Sequence, residues 1–174
     1  MSSTIEQNSR TVGHTDNSIV IDADIDHVWQ MTNDLSAWPN LFTEYSEVEV
    51  LAQSGSMFRF RLKMHPDETG RVWSWVSERT LDEATHEVVA RRLEPGPFEF
   101  MNIRWSYTPE GEGTRMRWVQ DFRMRPEAPI DTEGMTDRID ANSKIQMAVL
   151  RDKVEAAART RSLPEPRSER ETAT

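Results

Sequence analysis

The residues that could do chemistry sit in alternating runs. In Trp73-Ser74-Trp75-Val76-Ser77-Glu78-Arg79, every second side chain falls on one face of an extended strand. Two indoles, a hydroxyl and a guanidinium thereby share a wall. Between Met116 and Met124 the same period groups Trp118 and Gln120 with Met116, Phe122 and Met124, opposite Arg115, Arg117, Asp121 and Arg123. Asn142 and Gln146 lie on or beside an apolar stripe of helical period. An ordinary core rejects such groups, because a buried polar atom left unsatisfied costs ~1–3 kcal/mol. Arginine is the worst case, since it cannot shed its charge. Aromatic walls with a few convergent polar groups describe a small-molecule pocket.

Other chemistries find no footing. There is no Walker phosphate loop, no G-x-G-x-x-G and no G-x-S-x-G. With no Cys there is no thiol nucleophile, disulfide or thiolate metal site. His14, His27, His65 and His86 lack i,i+3 or i,i+4 spacing, so a metal site is not expected, and surface positions are expected for all of them. Acidic residues fall mainly on outward faces, so no glycosidase-like carboxylate pair is indicated. An enzyme built this way works by positioning and hydrogen bonding, without a bound cofactor.

The elements that must hold these residues follow from the same periods. Residues 17–23 read as a first strand. Asp24 sits at an N-cap position before a short helix carrying Ile25, Val28, Trp29 and Met31, and 36–42 holds a second around Trp38-Pro39. Alternation then marks strands. Phe58, Phe60, Leu62 and Met64 share one face, as do Met101, Ile103, Trp105 and Tyr107, with weaker strands at 44–52 and 85–93. Turn signals at Ser54-Gly55, 67–70, 81–84, 94–97 and 110–113 make the connections short and the sheet antiparallel. From about Thr132 to Arg159 a helical stripe carries Met135, Ile139, Ile145, Val149, Leu150 and Val154. The expectation is an α+β fold: seven antiparallel strands wrapped around a long C-terminal helix, with two short helices after strand 1 and an internal cavity.

The chain has 174 residues, which suits one domain. Residues 1–13 and 161–174 are polar or Pro-rich and are expected to be disordered tails around a folded unit at 14–160. No apolar run approaches a membrane span and the first residues are polar, so a cytoplasmic protein without membrane contact is expected. A net charge of −9 argues against nucleic acid as partner.

Five blocks carry a resemblance: HTDNS (14–18), MTNDLSAWPNLFTEYSEVEV (31–50), RVWSWVSER (71–79), GPFEFMN (96–102) and RWVQDF (117–122). Together they resemble the single-domain aromatase/cyclases of bacterial type II aromatic polyketide synthesis, of the tetracenomycin and spore-pigment types, over about 14–157. That family has the helix-grip, START-like or Bet v 1-like fold. Its members take a linear poly-β-ketone tethered by phosphopantetheine to an acyl carrier protein, supplied by a minimal polyketide synthase. They direct an aldol closure, joining carbons 9 and 14 in the resembled types, and dehydration to an aromatic first ring. A second ring can follow, and no cofactor is used.

The resemblance implies roles. Arg79 matches the family's inward Arg and would anchor a ketone or enolate oxygen; its structural alternative is a salt-bridged Arg. Tyr45 matches the Tyr of L-F-x-E-Y and would pass a proton, as an acid in preference to a base, or else pack at the cavity rim. Ser77, Gln120, Asn142 and Gln146 would offer hydrogen bonds. Asn102, in the opposite register to Met101, reads as structural. Trp38, Phe42, Trp73, Trp75, Phe98, Met101, Trp105 and Trp118 would form the wall, with plain core as the alternative. The outward rows Arg59/Arg61/Lys63 and Arg115/Arg117/Arg123/Arg125 read as a solvated face, or as a basic patch for an acidic carrier.

Two other readings fit the same elements. One is a non-catalytic binding or transport module for a lipid or hydrophobic metabolite. The other is a cyclase that only shapes the chain while the chemistry runs spontaneously.

Overall fold

A computed structural model describes residues 11–162. Strand β1 (Gly13–Ile21) leads into α1 (Ile25–Asn33), a 3-10 turn (Leu35–Ala37) and α2 (Trp38–Leu41). Six strands follow: β2 (Tyr45–Ser54), β3 (Met57–Met64), β4 (Ser74–Asp82), β5 (Glu87–Arg92), β6 (Phe98–Glu110) and β7 (Gly113–Met124). The chain closes with α3 (Thr132–Ser162). The strands form one antiparallel sheet of seven, in the order β1-β7-β6-β5-β4-β3-β2. Consecutive strands from β2 to β7 are neighbours, as short turns require. β1 instead pairs with β7 and leaves β2 at the far edge. This is the helix-grip architecture, with α3 packed most heavily on β1.

β1 starts four residues earlier than its apolar run suggests, because its pairing with β7 extends to Gly13–Phe122. A Cβ on Gly13 would come within 2.5 Å of the Phe122 ring, so glycine lets the two elements meet. A tight turn, Ala23 N to Ile21 O at 2.9 Å, ends the strand before residue 23. Asp24 does stand at the N-cap of α1, but its side chain makes no capping bond. The foreseen tails lie outside the described residues except at their inner ends, where β1 begins and α3 finishes.

Alternation holds on β3, β4, β6 and β7, because each puts one face on the core and one toward water. Register shifts in β2 and at Phe98/Phe100 of β6 interrupt the ladder; such bulges bend strands. The helical stripe needs correction. Ser143, Gln146, Met147, Leu150 and Val154 are buried on α3, whereas Ile145 is 59% exposed. Two residues from Met147 is about 200° around a helix, so Ile145 points away.

His27 is also corrected, being buried and not at the surface. Its Nδ1 accepts from Arg161 Nη1 at 2.8 Å and its Nε2 donates to Val154 O at 3.2 Å. The ring therefore ties α1 to the C-terminal end of α3.

Candidate active site

Arg79 lies at the middle of β4 and is only 2% exposed. Its Nη2 donates to Asn33 Oδ1, at the end of α1, at 2.6 Å. The guanidinium carbon stands 4.2 Å from the Trp105 ring centre and 5.1 Å from that of Trp38. Its Nε is buried without a partner. Among the described residues no carboxylate pairs with it, so the salt-bridged alternative falls. Burial pushes its pKa down to about 10, partly opposed by Tyr107 and Tyr45, and it stays cationic at neutral pH.

Aromatic rings pack around this cation. Trp105 stacks on Trp118 at 4.6 Å and on Trp38 at 6.0 Å. Trp38 stacks on Tyr45 at 5.9 Å, and Phe42 packs against both, 5.1 Å from Trp38 and 5.0 Å from Tyr45. Tyr45 meets Trp75 edge-on at 6.3 Å. The fold thus gathers Trp38, Phe42, Tyr45, Trp75, Arg79, Trp105 and Trp118 into one connected group. These rings pack closely around Arg79. Open volume, about 470 Å³, lies in a cleft at the rim, lined by Arg71, Trp73, Trp75, Arg92, Pro97 and Arg125 among others.

Several expected wall residues stand elsewhere. Trp73 precedes β4 and lies at the rim, with Nε1 donating to Asp67 Oδ2 at 3.0 Å and Arg71 3.9 Å above its ring. Phe98 and Met101 belong to a second apolar cluster with Phe122 and Met124, because they lie at the start of β6, in register with the end of β7. Phe98 reaches the site only through Arg92, whose guanidinium lies 4.6 Å from its ring. Asn102 is exposed, as its register implies.

The polar candidates divide. Gln146 is buried, but its amide accepts from Thr43 N at 3.1 Å and donates to Thr43 Oγ1 at 2.7 Å, tying α3 to the segment after α2. Asn142 donates to Glu44 Oε2 at 2.9 Å. Gln120 donates to Ser143 Oγ at 3.2 Å across the gap between β7 and α3. Ser77 is buried on the Arg79 face, paired in register with Arg92.

Four participants escaped the sequence reading. Asn33 grips Arg79. Arg92 closes the inward Val88–Ala90–Arg92 face of β5, an alternation that could have been read. Its guanidinium lies 4.0 Å from the Trp75 ring, and burial pushes its pKa to about 10. Tyr107 hydrogen-bonds Thr32 Oγ1 at 2.7 Å, and burial raises its pKa. Burial also raises the pKa of Glu44, against hydrogen bonds from Asn142 and Tyr45. Tyr45 itself is pushed well above the ordinary phenol value, first by burial and then by the charge of Glu44. A phenol so raised stays protonated and can donate.

The geometry is an unpaired cation and two phenols at the heart of an aromatic cluster, beside a cleft. Known proteins share the sequence and the fold around it. A profile described as "Polyketide cyclase / dehydrase and lipid transport" matches residues 13–155. A Streptomyces cyaneus protein described as a candidate polyketide cyclase is 57% identical over 148 residues, covering 85% of this chain and 97% of its own. The actinorhodin polyketide synthase bifunctional cyclase/dehydratase of Streptomyces coelicolor is 32% identical over 124 residues, 71% of this chain and 38% of that longer one. Among solved structures, the Zhui aromatase/cyclase from Streptomyces sp. R1128 superposes with a TM-score of 0.76 at 22% identity, covering 87% of this chain and 99% of that one. A START superfamily protein from Mycobacterium smegmatis superposes with a TM-score of 0.64 at 14% identity, covering 86% and 99%. These two likenesses establish the fold, and the sequence matches establish the kinship: the chain belongs to the family of polyketide cyclases, dehydrases and lipid-transport proteins.

Proposed function

We propose that this polyketide cyclase receives a linear poly-β-ketone tethered to an acyl carrier protein and directs closure of its first ring, between carbons 9 and 14, followed by dehydration to an aromatic ring. A second closure can follow in the same site. The observation that carries this reading is Arg79: a buried guanidinium without a carboxylate partner, held among flat rings. A passive apolar binder has no use for such a cation, whereas an aldol closure does.

In the closure, the enol carbon of one β-diketone unit attacks a ketone carbon further along the chain. The new C–C bond forms, and the carbonyl electron pair moves onto oxygen. Arg79 faces that developing charge, and preorganised donors of this kind are worth ~2.7–4 kcal/mol in other enzymes. Tyr45 gives its proton to the alkoxide and regains one from the enol hydroxyl, so the addition is balanced within the substrate. Loss of water, taking the new hydroxyl and a proton from the adjacent carbon, then leads to the aromatic ring. The indoles bend the chain so that one ketone meets one enol, which is catalysis by positioning.

The test is product analysis. A minimal polyketide synthase is combined with the wild-type protein and with Arg79→Ala. The expected result is one regiodefined aromatic from the wild type and a mixture of shunt products from the variant. A mixture unchanged by folded wild-type protein would reassign the chain to ligand binding. Wild-type product from Arg79→Ala would remove Arg79 from the chemistry.

A further inference from the structure

Most arginines on the outer face of the sheet are already neutralised. Arg59 and Arg91 share Glu78, Arg61 pairs with Glu94, Arg115 with Glu110, Arg117 with Asp16, and Arg123 with Glu99. These rows offer little net charge to an acidic partner. The rim cleft differs. Arg71, Arg92 and Arg125 all line it, and Glu127 is the one carboxylate among its lining residues. None of the three arginines has an ion pair among the described residues.

Each of the three is held in place by contacts other than an ion pair. Arg71 lies over the Trp73 ring at 3.9 Å, and Arg92 over the Trp75 ring at 4.0 Å. Arg125 Nε donates to Gly96 O at 2.9 Å and to Phe98 O at 3.1 Å, leaving its two terminal nitrogens uncommitted among the described residues. Two nearby carboxylates have partners of their own, although the charge of Glu44 also acts on Arg92. Asp67 accepts from Thr69, the Arg71 backbone and Trp73, while Glu44 accepts from Asn142. The chain as a whole carries a net charge of −9, so this cleft concentrates positive charge against the molecule's sign.

We propose that the rim cleft is an anion site for a phosphate ester carried on a flexible chain, with Arg71 and Arg125 as its outer donors and Arg92 as its inner wall. Three guanidiniums around one opening suit a tetrahedral anion with several oxygens better than a planar carboxylate. The volume of about 470 Å³ is within the range of small-molecule sites. A chain of contacts links the cleft to the interior: Trp75 at the cleft meets Tyr45 at 6.3 Å, Tyr45 stacks on Trp38 at 5.9 Å, and Trp38 faces Arg79 at 5.1 Å. An anion fixed at the rim therefore sets how deep the rest of the chain reaches. The assignment of that chain as a phosphopantetheine arm rests on the function proposed above.

The experiment is binding without turnover. 4′-Phosphopantetheine and pantetheine are titrated into the full chain by calorimetry at low and at physiological salt. The same titration uses Arg71→Gln and Arg125→Lys, the second to guard the carbonyl contacts of the rim. The phosphorylated form is expected to bind about tenfold tighter, with the preference shrinking as salt rises and falling severalfold in Arg71→Gln. Equal affinity for the two forms, or an unchanged preference in Arg71→Gln, would overturn the site. Phosphatidylglycerol vesicles form a third arm: capture on vesicles in preference to phosphopantetheine would overturn the arm as the source of the phosphate. Equal binding alongside intact regiodefined cyclisation would sink this site alone. A phosphate preference without cyclisation would sink the proposed reaction alone.

Discussion

Arg79 Nη2 donates to Asn33 Oδ1 at 2.6 Å, so the cation at the centre of β4 is held by the last residue of α1. The other half of the same amide donates to Trp29 O at 2.9 Å. That second bond turns the carbonyl oxygen of Asn33 toward the guanidinium. The amide orients the cation without neutralising it.

Replacing that amide by a carboxylate should quench the site. In Asn33→Asp, Arg79 becomes half of a buried ion pair, and its charge is spent before substrate arrives. We expect kcat to fall by about tenfold or more, with the protein still folded. Steady-state kinetics with a diffusible poly-β-ketone analogue, together with thermal melting, checks this. An unchanged kcat would show that the free charge of Arg79 is not used.

The pH profile follows from Tyr45. Burial and Glu44 raise its pKa, so the phenol keeps its proton through neutral and mildly alkaline solution. The wild-type rate should be flat there and decline only toward about pH 10, where Arg79 begins to lose its charge. Tyr45→Phe should slow the reaction by about 10²-fold without reshaping the profile. A rate that climbs with pH in the wild type alone would instead make Tyr45 a base.

Glu44 makes a stability prediction with a definite sign. Its folded pKa is raised above the unfolded value. Such a carboxyl adds stability while protonated, below its unfolded pKa of about 4.3, and that contribution is lost as pH rises through the folded value. At neutral pH the charged form is therefore a cost. Glu44→Gln keeps an acceptor for Asn142 and drops the charge. Its melting temperature should exceed wild type by about 1–3 °C at neutral pH, the gap closing as pH falls to about 4. A gap that widens on acidification would reverse the assignment.

Thr15 offers the complementary case. It is 3% exposed on the inner face of β1, and its hydroxyl is buried with no partner. Thr15→Val removes that hydroxyl at nearly constant shape and should stabilise the protein by up to ~1 kcal/mol. Urea denaturation measures it. A loss of stability would mean that the hydroxyl is satisfied in solution.

The sheet was readable because its strands keep one dry face and one wet one, as in the Phe58–Met64 run of β3 and the Met101–Tyr107 run of β6. The long helix was readable in extent and less so in rotation, since polar Ser143 and Gln146 occupy buried stations that a hydrophobic count skips. The Arg79 face was legible from alternation alone. Asn33 was not, because its role comes from a contact 46 residues away that no local period encodes. Trp73 looked like part of the same wall, yet β4 begins one residue later and the indole turns out to the rim. Alternation tells which way Trp105 and Trp118 face, but not Trp38, which stands on the short helix α2. It does not tell how their rings pack around Arg79.

The stacked indoles have an optical side. Trp105 and Trp118 lie 4.6 Å apart with only 14° between their planes. Two indole chromophores that close couple their excitations, so circular dichroism of the protein is expected to carry an exciton signature from this pair. Arg79 stands 4.2 Å from the Trp105 ring centre, so a chain bound at Arg79 is expected to disturb the pair. If the proposed site is right, that signature would serve as a native, label-free gauge of occupancy, and it should change when a poly-β-ketone analogue binds, before any bond has formed.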